Sequence, residues 1–326
     1  MNSDDPRSAS RDRLLIAVGG NAIHPEGIRG TSEEQRQIAA ETAEHLVPLL
    51  VQDNELVITH GNGPGVGKTM MRQVLARHRV APMSLDICVA NTQGVTAYIL
   101  TQAFENALRR VGNPRHAVGL VTQVEVDAAD PAFTSPSKPV GYFYTESEAS
   151  DLVTEFGWEM KEDAGRGWRQ VVASPEPRHV CDIPLIDALV RRGTIVIAGG
   201  GGGVPVVRDN LGVRRGIEVV IDKDLTSAHM AWVLGIPQLV ILTGVSGVSI
   251  NFGRDKEEKI GRIGVTALRA LQDGGHFPAG SMGPKVEAAL RFVENGGLRA
   301  IITGLEEAVP ALAGETGTHV VPDEAL

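Results

Sequence analysis

Leu14-Leu15-Ile16-Ala17-Val18-Gly19-Gly20-Asn21 decides the architecture. Consecutive apolar residues stop at two glycines and a turn former, the signature of a strand buried on both faces that ends in a tight turn. The same pattern recurs. Leu56–Thr59 is a second strand, ending at His60-Gly61-Asn62-Gly63-Pro64, and Thr194–Ala198 is another, ending in Gly199 to Gly203. Ala117–Thr122, Leu239–Thr243 and Ala300–Thr303 are further strands, the last followed by Leu305–Leu312. Amphipathic stretches lie between them. Thr31–Leu50 reads as a helix in which Thr31 and Glu34 have capping-box spacing. Helices are also expected over Val66–Arg77, Val89–Arg110, Ile183–Arg191, Asp222–Leu234, Val265–Leu271 and Val286–Glu294. Strand–helix alternation of this kind implies a mostly parallel sheet covered on both faces.

The alternation breaks between residues 124 and 174, where prolines, glycines and charges accumulate around short β-like pieces at Val140–Tyr144 and Gln170–Val172. That segment is expected to be an inserted subdomain or lid. Residues 1–12 are polar and carry no apolar signal-peptide core, so they read as a disordered tail, with 13–326 as one domain. The 326 residues are 42% hydrophobic and 22% charged, the balance of a soluble globular chain. A net charge of −9 and only 4% aromatics argue against a nucleic-acid surface. No run approaches the roughly 18 apolar residues of a membrane span. Cys88 and Cys181 lie far apart and lack partners at metal-ligand spacing; no residue is singled out as a metal ligand, and a reducing cytoplasm is the default compartment.

In open α/β sheets, ligands bind beyond the carboxyl ends of the strands. One glycine turn there is ordinary punctuation, but Gly19-Gly20-Asn21, Gly61-Asn62-Gly63 and Gly199–Gly203 together point to backbone drawn close around an anion. Gly280-Ser281-Met282-Gly283-Pro284-Lys285 adds a helix start with a lysine in its first turn, which suits a phosphoryl group. Asp222-Lys223-Asp224 opens another helix. The aspartates suit that position, whereas the lysine is unfavourable at the positive end of a dipole unless an anion binds. Lys138 sits between Pro136 and Pro139 in the inserted segment. Asn62 to Thr69 imitates a Walker A loop, but Asn62 stands where the first glycine belongs and Pro64 interrupts the nest of amides. Lys68 is therefore expected to be an exposed first-turn lysine. His60 is expected to have a hydrogen-bonded structural role.

These residues resemble the carbamate kinases, a branch of the amino acid kinase family. The resemblance rests on Ala17–Ala22, Thr59–Pro64, Leu85–Cys88, Gln93-Gly94, Asp130–Phe133, Lys138–Gly141, Ser174–Pro177, Ile221–Leu225, Asn251–Gly253 and Gly280–Lys285. It spans Leu14 to Val321. It implies a three-layer αβα sandwich with a protruding subdomain, usually a homodimer. It also implies reversible phosphoryl transfer between ATP and carbamate with Mg²⁺, with no nucleic acid or membrane partner, using carbamoyl phosphate from arginine or similar catabolism to form ATP. On the resemblance, Gly19, Gly20, Asn21, Gly61, Asn62 and Gly63 hold the phosphoryl group and carbamate. Lys138, Lys223 and Lys285 supply charge, and Asp224 orients the lysines. Asp222, Lys223, Thr243, Gly244, Val245, Met282, Gly283 and Lys285 surround the nucleotide.

Gly65, Lys68-Thr69, Asn91-Thr92 and Tyr142 depart from the family pattern near the acceptor side and the lid. They leave open an enzyme of the same fold acting on another small carbamate or carboxylate. A nucleotide-binding regulator without catalysis is a third reading, against which the intact lysines count.

Overall fold

The computed structural model describes residues 12–20, 23, 25, 28–163, 165–252, 257–278 and 282–326. The expected tail, except its last residue, lies outside the described residues, as do Asn21, Gly280 and Ser281. Strand β1 (Arg13–Val18), helix α1 (Ser32–Leu50), β2 (Glu55–His60), α2 (Gly63–Ala76), α3 (Leu85–Arg110) and β3 (Ala117–Gly119) open the fold. There follow β4 (Gln123–Val126), β5 (Lys138–Tyr144), α4 (Glu146–Phe156), β6 (Met160–Glu162), β7 (Trp168–Val172) and β8 (Pro177–Val180). Helix α5 (Ile183–Val190) leads back to β9 (Ile195–Ile197), then β10 (Val204–Arg208), β11 (Arg214–Gly216), α6 (Lys223–Val233) and β12 (Gln238–Thr243). The remainder is β13 (Val248–Ile250), β14 (Glu258–Ile260), β15 (Arg262–Gly264), α7 (Val265–Asp273), α8 (Met282–Glu294), β16 (Arg299–Gly304), α9 (Ala308–Leu312) and β17 (Thr318–Val321).

Eight strands form the central sheet in the order β15-β17-β16-β12-β1-β2-β9-β3. From β16 to β3 they run parallel, while β17 is antiparallel to β16 and parallel to β15. Successive residues of a strand face opposite sides, and the core divides accordingly. Leu15 and Ala17 of β1 pack with Ile186, Met230 and Leu290 from α5, α6 and α8. Leu14, Ile16 and Val18 pack with Leu46, Phe104 and Ala311 from α1, α3 and α9. Burying each of the larger side chains among these stabilises the fold by about 1.5–3 kcal/mol. The result is the three-layer αβα sandwich expected, with β1 at its middle.

Local chemistry sets the helix starts. The Thr31 hydroxyl accepts from the Glu34 amide at 3.2 Å, and Glu34 accepts from the Thr31 amide at 2.7 Å, completing the capping box of α1. Helix α3 starts at Leu85 rather than Val89, because the Leu85 amide is satisfied by the Glu218 carboxylate at 2.8 Å. Strand β3 stops at Gly119 rather than Thr122. Beyond it the Thr122 amide donates to the Gln93 side chain at 2.8 Å instead of to a neighbouring strand.

The segment 124–174 contributes nothing to the central sheet. Strands β5, β7 and β6 form their own sheet beside α4, and both β-like pieces fall within it, while β4 joins β8, β10 and β11 in a four-stranded sheet. Helix α2 and strand β5 approach at two glycines: a Cβ on Gly67 would stand 3.3 Å from the Gly141 Cα. That close contact sets the position of the strand carrying Lys138. Cys88 and Cys181 are both free thiols.

Candidate active site

Parallel strands deliver their carboxyl ends to one edge, and the glycine turns meet there. The Gly61 amide donates to the Val18 carbonyl at 3.0 Å. A Cβ on Gly61 would lie 2.7 Å from the Gly20 nitrogen, so the turns after β1 and β2 touch backbone to backbone. Gly201 has φ 65°, and the space its Cβ would need is filled by the Asn62 side chain, which ties the turn after β9 to the same place. The turn is stapled from three sides. Gln93 donates to the Gly200 carbonyl at 2.8 Å, the Gly199 amide donates to the Thr122 hydroxyl at 2.9 Å, and Thr226 donates to the Gly202 carbonyl at 2.9 Å.

The charged residues converge on the N-terminus of α6. Asp222 caps the helix, its Oδ1 accepting from the Asp224 and Leu225 amides at 2.9 and 3.3 Å. Its Oδ2 accepts from Lys138 at 2.8 Å, which brings the β5 subdomain to the sheet edge. Asp224 is 4% exposed and pairs with two lysines: Lys223 at 2.6 Å and Lys285 of α8 at 3.2 Å. Burial pushes the Asp224 carboxyl upward, but Lys223 and Lys285 outweigh it and hold the carboxyl below its ordinary range. Lys138, Lys223, Lys285, Asp222 and Asp224, separated by up to 147 positions in sequence, thus form one linked group. Lys285 lies in the first turn of α8, as the sequence suggested.

His60 is buried between the glycine turns and bonds the Gly61 carbonyl through Nδ1 at 3.0 Å. Burial pushes its imidazole down to about 4; the Gly61 carbonyl opposes the shift and Lys223 adds to it. It is therefore neutral near pH 7 and acts as structure, as expected. On the other flank, Thr243 ends β12, next to Gly19: a Cβ on Gly19 would lie 2.7 Å from the Leu242 carbonyl oxygen. Gly244 and Val245 continue from there, and Val245 lies beside Gly304 at the end of β16. Met282 and Gly283 open α8, with the Gly283 amide donating to the Pro278 carbonyl at 2.9 Å.

Lys68 differs from its expected role. It is half-buried, lies beyond the first turn of α2 and donates to the Arg29 carbonyl at 2.7 Å. The first turn of α2 begins at Gly63, three residues earlier than the apolar pattern indicated, because Pro64 is well placed at a helix start. The staples Gln93, Thr122 and Thr226 carried no local sequence signal for this task.

No three His, Cys, Asp or Glu side chains converge as a metal cage among the described residues. Mg²⁺ needs no such cage, since it commonly takes one or two carboxylates, substrate phosphates and waters. Asp222 and Asp224 are the carboxylates at the cluster, and the Asp224 Oδ1, though paired with Lys223, lacks a hydrogen bond of good geometry.

Residues 12–304 match the model of the amino acid kinase family. A carbamate kinase of Thermococcus kodakarensis is 47% identical over 312 residues, covering 95% of this chain and 99% of that one. A carbamate kinase of Pyrococcus horikoshii is 46% identical over 313 residues, with the same coverage. The solved structure of a Giardia lamblia carbamate kinase bound to AMP-PNP superposes with a TM-score of 0.91 at 40% identity, covering 96% of this chain and 99% of that one.

Proposed function

The chain belongs to the amino acid kinase family, and from that premise we propose that it is a carbamate kinase, a phosphotransferase joining carbamoyl phosphate and ADP to ATP and carbamate. A terminal oxygen of the ADP β-phosphate attacks the phosphorus of carbamoyl phosphate. The bond from phosphorus to the carbamate oxygen breaks, and carbamate leaves as an anion with the electron pair, so no general acid is required. Free carbamate then equilibrates with CO₂ and ammonia. The reverse reaction passes through the same arrangement.

The observation that carries this reading is the meeting of Lys138, Lys223 and Lys285 around two aspartates at the start of α6. Negative charge spread over the phosphoryl oxygens is stabilised by positive groups fixed in advance. Lys223 and Lys285 face the transferring group and leaving oxygen, with Asp224 holding both. Lys138 reaches the small substrate from the inserted segment, which serves as a lid. Gly19, Gly20, Gly61, Asn62 and Gly63 line the phosphoryl and carbamate side; Asn21 joins them on the resemblance alone. The nucleotide lies over the carboxyl-terminal half, against Thr243–Val245 and Met282-Gly283, with Asp222 nearby. Asp222 and Asp224 are the carboxylates that would stand nearest a Mg²⁺ brought in with the nucleotide, and the ion would supply further charge neutralisation when bound.

The same reading includes a homodimer and a cytoplasmic enzyme making ATP. Val95 and Tyr98 of α3, 47% and 57% exposed near the edge strand β3, offer apolar surface for the dimer. No helix among the described residues is long and apolar enough to cross a membrane. The test is ATP formation from carbamoyl phosphate and MgADP, read by a luciferase assay. Formation that depends on both substrates is expected. Its absence from folded protein that still binds ADP would overturn the assignment.

A further inference from the structure

Strand β2 is apolar from Leu56 to Ile58, and its next residue, Thr59, brings a hydroxyl into the same dry layer. Thr59 lies on the face of the sheet that Val57 presents to the core shared with α6, since alternate residues of a strand share a face. Thr59 and Ser227 of α6 are both 0% exposed. A hydroxyl placed there is costly unless it is hydrogen-bonded. The Thr59 Oγ1 and Ser227 Oγ atoms stand 2.7 Å apart. Ser227 Oγ also lies 2.7 Å from the Lys223 carbonyl oxygen, one turn earlier in the helix.

Hydroxyl chemistry fixes the direction of this chain. A carbonyl only accepts, so the single Ser227 hydroxyl proton goes to Lys223. Ser227 Oγ is then the acceptor of the other bond, and Thr59 is its donor. The tie runs from Thr59 through Ser227 to the Lys223 backbone. Thr59 is followed directly by His60 and the Gly61-Asn62-Gly63 turn. Lys223 is held at its other end too, where its ammonium meets Asp224 at 2.6 Å. Its charge adds to the lowering of the His60 basicity, which agrees with a place beside the same turn. The neighbouring Thr226 reaches elsewhere, to the Gly202 carbonyl at 2.9 Å. Adjacent hydroxyls of α6 thus grip the end of β2 and the turn after β9.

We propose that Thr59 and Ser227 are positioning residues for phosphoryl transfer: their hydrogen-bond chain sets Lys223 in register with the glycine turn after β2. Neither residue touches a reacting atom. The inference rests on the reading of Lys223 as a charge facing the transferring group. A lysine that shifts relative to the turn no longer meets charge where it develops, and a displacement of about 1 Å at such a site can cost on the order of 100-fold in rate.

The partners can be removed in ways that separate position from stability. Ser227→Ala leaves the Thr59 proton buried without an acceptor, the costly half of the pair. Thr59→Val removes the donor and keeps the shape. The double variant removes both partners, which is close to neutral for stability. The tie between β2 and Lys223 is broken in all three. Their kcat for ATP formation, at saturating carbamoyl phosphate and MgADP, should fall at least about tenfold, while the thermal midpoint falls most in Ser227→Ala. Thr59→Ser keeps the hydroxyl and should hold kcat within about threefold of the parent. Unchanged kcat in Thr59→Val overturns the proposal. So does a kcat that follows the thermal midpoint and recovers in the double variant, since the pair then only supports the fold. Titration calorimetry with ATP and ADP gives a readout that needs no acceptor. The ratio of the two affinities should change at least about threefold in Thr59→Val and hold in Thr59→Ser, because ATP alone brings a γ-phosphate to Lys223. A changed ratio, where the parent makes no ATP from carbamoyl phosphate, keeps the tie and removes the carbamate reading; an unchanged ratio there overturns the tie as well.

Discussion

Lys285→Ala probes the charge cluster most directly. The Lys285 ammonium lies 3.2 Å from the Asp224 carboxylate, and its side chain is 19% exposed. Unit charges about 4 Å apart interact by roughly 4 kcal/mol at an effective dielectric near 20. The ground-state substrate is already anionic, so only the additional attraction in the transition state accelerates transfer. Removal of one preorganised donor at such a site costs about 2.7–4 kcal/mol, or roughly 100- to 1,000-fold in kcat. The fold should survive, because Asp224 keeps Lys223 at 2.6 Å and no unpaired carboxylate is left buried. The assay is ATP formation at saturating carbamoyl phosphate and MgADP, with thermal unfolding of the same preparation as a check on folding. Expected is a fall in kcat and kcat/KM together. Turnover within about threefold of the parent, or a rise in KM with kcat unchanged, would refute the assignment of Lys285 to the transition state.

Lys138→Ala should raise the KM for carbamoyl phosphate about tenfold, while that for ADP changes little; equal changes would separate Lys138 from the acceptor side. Gly201→Ala forces an L-residue into φ 65° and onto the Asn62 side chain. It should cost at least about 1–2 kcal/mol of stability and, by displacing Asn62, more than that in turnover; a silent substitution would show that the turn has slack. His60 gives a pH signature. Its imidazole is held down to about 4 in the folded chain against an ordinary 6.5, so the unfolded chain takes up a proton first as pH falls. The stability it contributes is complete above about pH 6.5 and shrinks toward pH 4, with roughly 2 kcal/mol gone at pH 5. Urea unfolding at pH 7.5 and 5 should show a larger loss for the parent than for His60→Gln; identical losses would contradict a buried neutral imidazole.

The fold was legible wherever an element is specified by its own residues. Buried strands such as Leu14–Val18 declare themselves because parallel central strands are apolar on both faces, and Thr31 and Glu34 announce α1 by a local bond. The same capping box stands at Thr145 and Glu148, where it opens α4; the surrounding prolines and glycines concealed a signal that was present. Elements specified from a distance were not legible. The first turn of α3 depends on Glu218, the end of β3 on Gln93, and the shape of the pentaglycine turn on Thr226. The lysines were singled out by position and resemblance, but their pairing with Asp222 and Asp224 is a product of topology. Lys68 shows the opposite failure. Its motif departs from a P-loop at Asn62 and Pro64, but its contact with the Arg29 carbonyl is visible only in the folded chain.

The cluster around α6 is charged in its own favour before any ligand arrives. Three lysines face two aspartates, which leaves one excess positive charge, and the helix N-terminus adds a partial charge of the same sign. Three cations brought together without the aspartates would repel one another and lose hydration with little return. Two aspartates alone would repel the phosphates. The combination holds each ammonium at a fixed place, so little rearrangement is needed when charge develops on the phosphoryl oxygens, which is how fixed charges lower a barrier. It also gives Lys138 a defined position at Asp222. Asp222 makes two contacts at once: it caps α6 through Oδ1 and accepts from Lys138 of β5 through Oδ2. Asp222→Asn should therefore keep much of the cap, since a neutral amide oxygen still accepts, while releasing Lys138. A loss of acceptor affinity with ADP affinity preserved would establish that holding Lys138 and not capping is what the second oxygen provides; loss of helix stability alone would assign Asp222 to the cap.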